Sequence, residues 1–287
     1  MAKLVESDTG EPITGMSEGL VPSTRKPQRT ALPNLTEKRG VHMTQIALVV
    51  YPGFTALDVV GPYEVFRMLP DADVRFVWHE AGPVVADSGV LILGATHTLD
   101  ETPSPDVVLV PGGNASVMNQ ARDGQLLQWL RSVHTSSTWT TSVCAGSVVL
   151  AAAGVLDGQR ATSHWQTLSA LKLFGVTPVG DQRIVHEGKI ATSAGVSAGI
   201  DLALWLAAQI ADEKRARAIQ LAIEYDPQPP FDSGHASKAD MGTKAVATAI
   251  LAKKSLNKAQ ISAASKLLWE QVISAARVKM SRHQKTR

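Results

Sequence analysis

The chain's single cysteine, Cys144, stands in the run TTSVCAGSVVLAAAGVL, where β-branched residues give way to a helix-prone stretch. Ser142, Cys144 and Gly146 keep the spacing of a G-x-S-x-G nucleophile elbow, with serine at the first glycine position. A thiol placed at a strand-to-helix turn faces free backbone N–H groups, which favour the thiolate and lower its pKa. The other reading of a lone cysteine among alanines and valines is a small core hydrophobe. The elbow spacing and Gly146 favour a nucleophile. Asp58, flanked by Leu57, Val59 and Val60, is the next residue with possible chemistry. It reads either as the N-cap of a helix or as a desolvated carboxyl able to exchange protons near neutral pH. Gly112 and Gly113, in PGGN, are a tight turn or a source of backbone donors for developing negative charge. His164 closes a strand-like run and is structural or catalytic.

The elements that must position these residues alternate in kind. QIALVVYP, DVRFVWHE, DVVLVPGG and TWTTSV read as strands buried on both faces. ALDVVGPYEVFRML, DGQLLQWLRSVH and AGSVVLAAAGVL read as helices between them. ATSHW with QTLSALKLFG gives a further strand and helix. RIVHEG and KIATSAG form a hairpin turning at Glu187-Gly188, and residues 196–225 read as one long helical stretch. The alternation predicts an α/β fold: a mostly parallel sheet with helices on both faces.

Residues 1–42 are rich in Pro, Gly, Ser, Thr and charge and read as a disordered N-terminal extension. Met43 opens the first strand-like run, so the extension is either a real segment or an over-long start assignment. The α/β domain is expected over residues 43–238. A basic, helix-prone tail is expected over residues 239–287, after the Pro/Gly-rich DPQPPFDSGHASKAD. A net charge of +2 and 44% hydrophobic residues fit an ordinary globular chain. One cysteine excludes internal disulfides and suits a reducing, cytoplasmic compartment. No apolar run approaches the roughly 20 residues of a membrane span. The eight histidines are scattered, and no metal-ligand spacing, dinucleotide fingerprint or P-loop is present.

Six segments together carry a resemblance: LDVVGPYEVF, VPGG, TSVCAGSVVLAAAGVL, ATSHW, SAGVSAGIDLAL and IEYDPQPPF. They resemble the DJ-1/PfpI superfamily, and within it the isonitrile hydratases, over about Thr44 to Ser237. The resemblance implies a flavodoxin-like three-layer sandwich, a homodimer, and a cysteine on a nucleophile elbow approached by an acid, here Asp58. One departure stands beside the nucleophile. Isonitrile hydratases usually show C-T-G-S, whereas this chain has Cys144-Ala145-Gly146-Ser147.

The implied activity is hydration of an isonitrile to an N-substituted formamide. Cys144 and Asp58 would be catalytic, and Gly112, Gly113, Ala145 and His164 would form the backbone and pocket contacts. No cofactor or metal is called for, and the partner is a small-molecule substrate. Two alternatives remain: glyoxalase-type chemistry on 2-oxoaldehydes, and a ligand- or redox-sensing regulatory domain. Roughly 50 residues follow the α/β part, too few for two helix-turn-helix units, so nucleic acid is not the expected partner.

Overall fold

The computed structural model describes residues 43–114 and 116–255; the extension over residues 1–42 and the end of the tail lie outside them. Strand β1 (Thr44–Val49) is followed by α1 (Ala56–Phe66) and β2 (Ala72–Trp78). A hairpin of β3 (Gly82–Val85) and β4 (Ile92–Ala95) and the two-residue β5 (His97–Thr98) come next. Then follow β6 (Val107–Val110), α2 (Ser116–Gln120), α3 (Gly124–Ser136), β7 (Trp139–Val143) and α4 (Gly146–Ala152). The short strands β8 (Arg160–Ala161) and β9 (Thr177–Pro178) flank a 3-10 helix, Leu168–Phe174. Strands β10 (Ile184–Glu187) and β11 (Ile190–Ser193) precede α5 (Ala198–Ile210), α6 (Glu213–Ala222) and α7 (Met241–Ser255).

Seven strands make the main sheet in the order β10-β11-β7-β6-β1-β2-β5. Every neighbouring pair is parallel except β10 with β11. All of β6, β7 and β11 is buried, which explains why these strands read as unbroken apolar or small-residue runs rather than alternating ones. From β1 the chain moves to β2 on one side and to β6, β7 and β11 on the other. Right-handed crossovers therefore place α1 and α3 on opposite faces. Helix α1 packs on α5, and α5 on α6, while α4 packs on α2, α3 and the 3-10 helix. The result is the doubly wound flavodoxin order, and its reversal point lies between β1 and β6, where such sheets open a ligand crevice beyond the strand ends.

Three details depart from the sequence reading. The β3–β4 hairpin was not foreseen, because GPVV and ILGA are short and carry Gly or Pro. The stretch 196–225 is two helices rather than one. Asp212 caps the second, accepting a 2.7 Å bond from the Arg215 N–H, and a new N-cap ends the previous helix. The segment after ATSHW winds as a 3-10 helix, closed by Gly175 at φ 72°. Helix α1 also tolerates an internal proline, Pro62. Its missing N–H would have bonded the Asp58 carbonyl, one helical turn back.

The central strands supply the core. Leu48 and Leu109, on the neighbouring β1 and β6, are fully buried and paired in register. Leu109→Ala should lower unfolding stability by about 3 kcal/mol, the usual scale for a leucine-sized cavity. Chemical denaturation measures this, and a change under about 1 kcal/mol would mean the site collapses around the gap.

Candidate active site

Four chain segments leave the sheet at the crevice and meet there. Cys144 follows β7 directly and takes φ 59°, the left-handed region that non-glycine residues rarely occupy. Its N–H is held by the carbonyls of Ser193 (3.1 Å) and Ala194 (3.0 Å), at the end of β11. Its carbonyl accepts from the Ser163 hydroxyl at 3.1 Å. Helix α4 starts at once, at Gly146. A Cβ there would lie 2.1 Å from the Val110 carbonyl oxygen, so only glycine lets the turn sit against the end of β6. These contacts hold the strained elbow and aim the thiol at the crevice.

Asp58 arrives from the other side of the reversal point. Thr55 is the N-cap of α1 and Asp58 lies three residues inside, so the capping reading of Asp58 does not hold. Its side chain turns away from the helix, and Oδ2 accepts the Gly112 N–H at 2.7 Å. Asp58 is fully buried and its Oδ1 has no hydrogen-bond partner meeting ordinary geometry. Desolvation raises its pKa to about 7; the Asp87 carboxylate adds to the rise, while the Gly112 N–H and the Cys144 contact oppose it.

The thiol is the group whose behaviour departs most from expectation. Burial pushes its pKa well above the ordinary value, and the Asp58 carboxylate pushes in the same direction. The backbone N–H groups of Val196 and Ala145 bond the sulfur and lower it, as the elbow logic requires. They are outweighed. The expected low-pKa thiolate is therefore corrected to a protonated thiol beside a carboxyl that titrates near neutrality. The two groups lie against each other across Gly112 and each perturbs the other's titration, so their protons come off as a pair.

Gly112 is wedged between these groups. A Cβ on it would lie 2.7 Å from the Ala145 nitrogen, 2.9 Å from the Cys144 Cβ and 3.0 Å from Asp58 Oδ2. Its N–H is spent on Asp58, so it orients the acid rather than waiting for developing charge. Ala145 turns its N–H toward the sulfur. Gly113 pairs instead with Phe54, with Gly53 and Ser116 close around it. His164 is half-buried, and burial lowers its pKa, which favours the neutral ring. Its edge presses on Gly195, where a Cβ would come within 2.8 Å, so it supports the loop that carries Val196.

Residues not foreseen complete the surroundings. Val196 supplies a backbone donor at φ 33°. Tyr51 donates to the Pro111 carbonyl at 3.0 Å, and burial followed by the Asp58 charge raises its pKa. Asp87 bonds the Thr55 hydroxyl and the Asn114 amide. Only Asp87 had a legible signal, the Asp-Ser-Gly turn of a hairpin. Among the described residues no three His, Cys, Asp or Glu side chains group as a metal site. None of the described helices is long and apolar enough to cross a membrane.

The DJ-1/PfpI family model matches residues 44–209, from the first strand into α5. The chain belongs to the DJ-1/PfpI family. It is 44% identical to an isonitrile hydratase of Pseudomonas putida over 190 residues, 66% of this chain and 82% of that enzyme. It is 33% identical to the HTH-type transcriptional regulator CdhR of Pseudomonas aeruginosa, spanning 63% of this chain and about half (53%) of the regulator. A solved ThiJ/PfpI family protein from Pseudomonas syringae superposes with a TM-score of 0.71 at 34% identity, covering 79% of this chain and 96% of the other. The match reaches every segment that contributes to the site, from Asp58 to Val196.

The Asp58 shift has a stability consequence with a definite sign. The unfolded carboxyl titrates near 4, while the folded one titrates at about 7. The folded state binds the proton more tightly, so the benefit is full at low pH and is lost as pH rises through 7. Asp58→Asn should therefore gain stability relative to wild type across that window and stay level above it. Urea unfolding at stepped pH tests this, and a pH-independent difference would contradict it.

Proposed function

We propose that the protein hydrates isonitriles to N-substituted formamides by covalent catalysis at Cys144. The observation carrying this reading is the buried Cys144–Asp58 pair, with two backbone N–H groups on the sulfur. The similarity to the Pseudomonas putida isonitrile hydratase supports the choice of reaction. The substrate is a small molecule. The same reading includes a homodimer in the cytoplasm.

The chemistry needs one mobile proton. In the reactive form the pair holds a single proton, on sulfur at rest. As sulfur attacks the terminal isonitrile carbon, Asp58 takes the thiol proton and delivers it to that carbon. A C–S bond forms, leaving a thioimidate, R–N=CH–S, and Asp58 as carboxylate. Asp58 then takes a proton from water as its oxygen bonds the same carbon, and the nitrogen receives that proton. Collapse breaks the C–S bond, releases R–NH–CHO, and returns the hydroxyl proton to the pair. One water is consumed and no electrons leave or enter. The N–H groups of Ala145 and Val196 hold sulfur as negative charge builds on it and again as it departs. A shared proton makes a low thiol pKa unnecessary, because the acid beside the sulfur is itself the base.

Ala145 stands where the hydratases usually carry threonine. In this geometry that position contributes its backbone N–H, which alanine keeps. The assay is direct: aryl or alkyl isonitrile with wild type should give formamide, and Cys144→Ala should abolish it. Below about pH 7 the pair gains a second proton at Asp58, so kcat/KM should rise through that pH to a plateau. A panel containing methylglyoxal separates this reading from glyoxalase chemistry. Formamide production by Cys144→Ala equal to wild type would overturn the scheme.

A further inference from the structure

The hairpin between β3 and β4 reaches the site through one side chain, Asp87. A threonine N-cap ordinarily turns its oxygen back to the first-turn N–H groups of its own helix. Thr55 does not: it makes no side-chain cap bond, and its hydroxyl donates to Asp87 Oδ2 at 3.0 Å. The same oxygen accepts from the Asn114 side-chain amide at 3.3 Å. One carboxylate oxygen thus joins the turn that begins α1, which carries Asp58, to the loop after Gly112.

Backbone bonds lock the same three segments. The Asp87 N–H donates to the Phe54 carbonyl (2.9 Å), Gly53 N–H to Val85 (2.8 Å) and Thr55 N–H to Gly112 (2.9 Å). The Ser116 hydroxyl reaches the Gly53 carbonyl at 2.7 Å. Both side-chain partners of Asp87 are neutral donors, and among the described residues no cation bridges it, so its charge is not cancelled locally.

We propose that Asp87 is a positioning residue: its carboxylate clamps the Thr55 and Asn114 loops together and keeps a negative charge beside the Asp58–Cys144 pair. The titratable groups facing Asp58 are Cys144 from the elbow, Asp87 from the hairpin and Tyr51 from the loop after β1. Helix α5, packed on α1, meets it there with Gly199 and Ile200. The carboxylate of Asp201 on α5 is engaged by Arg183 and Tyr225. Of the charges around Asp58 other than its reaction partner, Asp87 is therefore the one that favours protonation. A group meant to lift a proton from a buried thiol gains from such a neighbour, since base strength follows proton affinity.

The role in catalysis rests on the hydratase reading, so the test has one arm that needs no substrate. Infrared titration follows the carbonyl stretch of the protonated Asp58 carboxyl, identified by its loss in Asp58→Asn. Wild type should give a midpoint near 7. Asp87→Asn and Asp87→Ser should each move it toward acid by about one unit, and Asp87→Glu should return it toward wild type. In the activity arm, the acidic limb of kcat/KM for isonitrile should move with the infrared midpoint, and plateau kcat should fall about threefold. Unchanged midpoints in the folded Asn and Ser variants would overturn the proposal. A moved midpoint without formamide formation would leave Asp87 as the tuning group and remove the hydratase reading instead.

Discussion

A thiol and a carboxyl are buried against each other with one backbone N–H on the acid and two on the sulfur. The thiol cannot ionise cheaply in that setting, the carboxyl does so only near neutrality, and among the described residues no ion pair reaches either group. What the setting allows is transfer of a proton between them. The topology serves this one requirement. Asp58 comes from the helix after β1, Gly112 from the end of β6, Cys144 from the end of β7, and Val196 from the loop after β11. Only at the reversal point of a doubly wound sheet do those chain ends converge, because there the crossovers part to opposite faces. The glycines follow from the same crowding. Gly112 and Gly146 stand where a single added carbon would strike the elbow or the strand end, so the acid and thiol approach closely only with hydrogen at both places.

Backbone strain marks the same spot. Cys144 and Val196 are both non-glycine residues with positive φ, and the Val196 N–H points at the Cys144 sulfur. A β-branched residue at φ 33° is costly, on the order of 1–3 kcal/mol, and it persists because the surroundings over-determine it. The contacts that do so are identifiable: the Cys144 N–H on the Ser193 and Ala194 carbonyls, the Ser163 hydroxyl on the Cys144 carbonyl, and the His164 edge against Gly195. His164 thus acts through packing, and its burial favours the neutral ring. With both residues held so, the N–H groups of Val196 and Ala145 converge on one sulfur, which helix-cap geometry at Ala145 alone does not provide.

Much of this was legible from residue order. The run around Cys144 shows a strand-to-helix elbow, Gly112 stands at a strand end where such sheets gather ligands, and the family resemblance points to Asp58 as the acid beside the thiol. The parallel α/β architecture followed from apolar runs alternating with helical spacing. What stayed hidden had a common cause. Desolvation is a property of the folded environment, so the direction of the thiol pKa could not be read from a helix terminus alone. Backbone donors such as Val196 carry no side-chain signature at all. The role of Asp87 depends on a short hairpin whose Gly- and Pro-containing strands show weak β pattern, and on a threonine that looks like an ordinary cap. The split of residues 196–225 into α5 and α6 turned on Asp212, an N-cap embedded in a continuous amphipathic pattern.

The central claim is that the buried thiol, not an activated water alone, forms the first bond to the substrate. Rapid-quench mass spectrometry of the intact protein with excess isonitrile measures this directly. The account predicts a transient species heavier by the full mass of the isonitrile, mapped to Cys144 and decaying as formamide appears. Formamide released at full rate with no such adduct, or an adduct on any other residue, would contradict it.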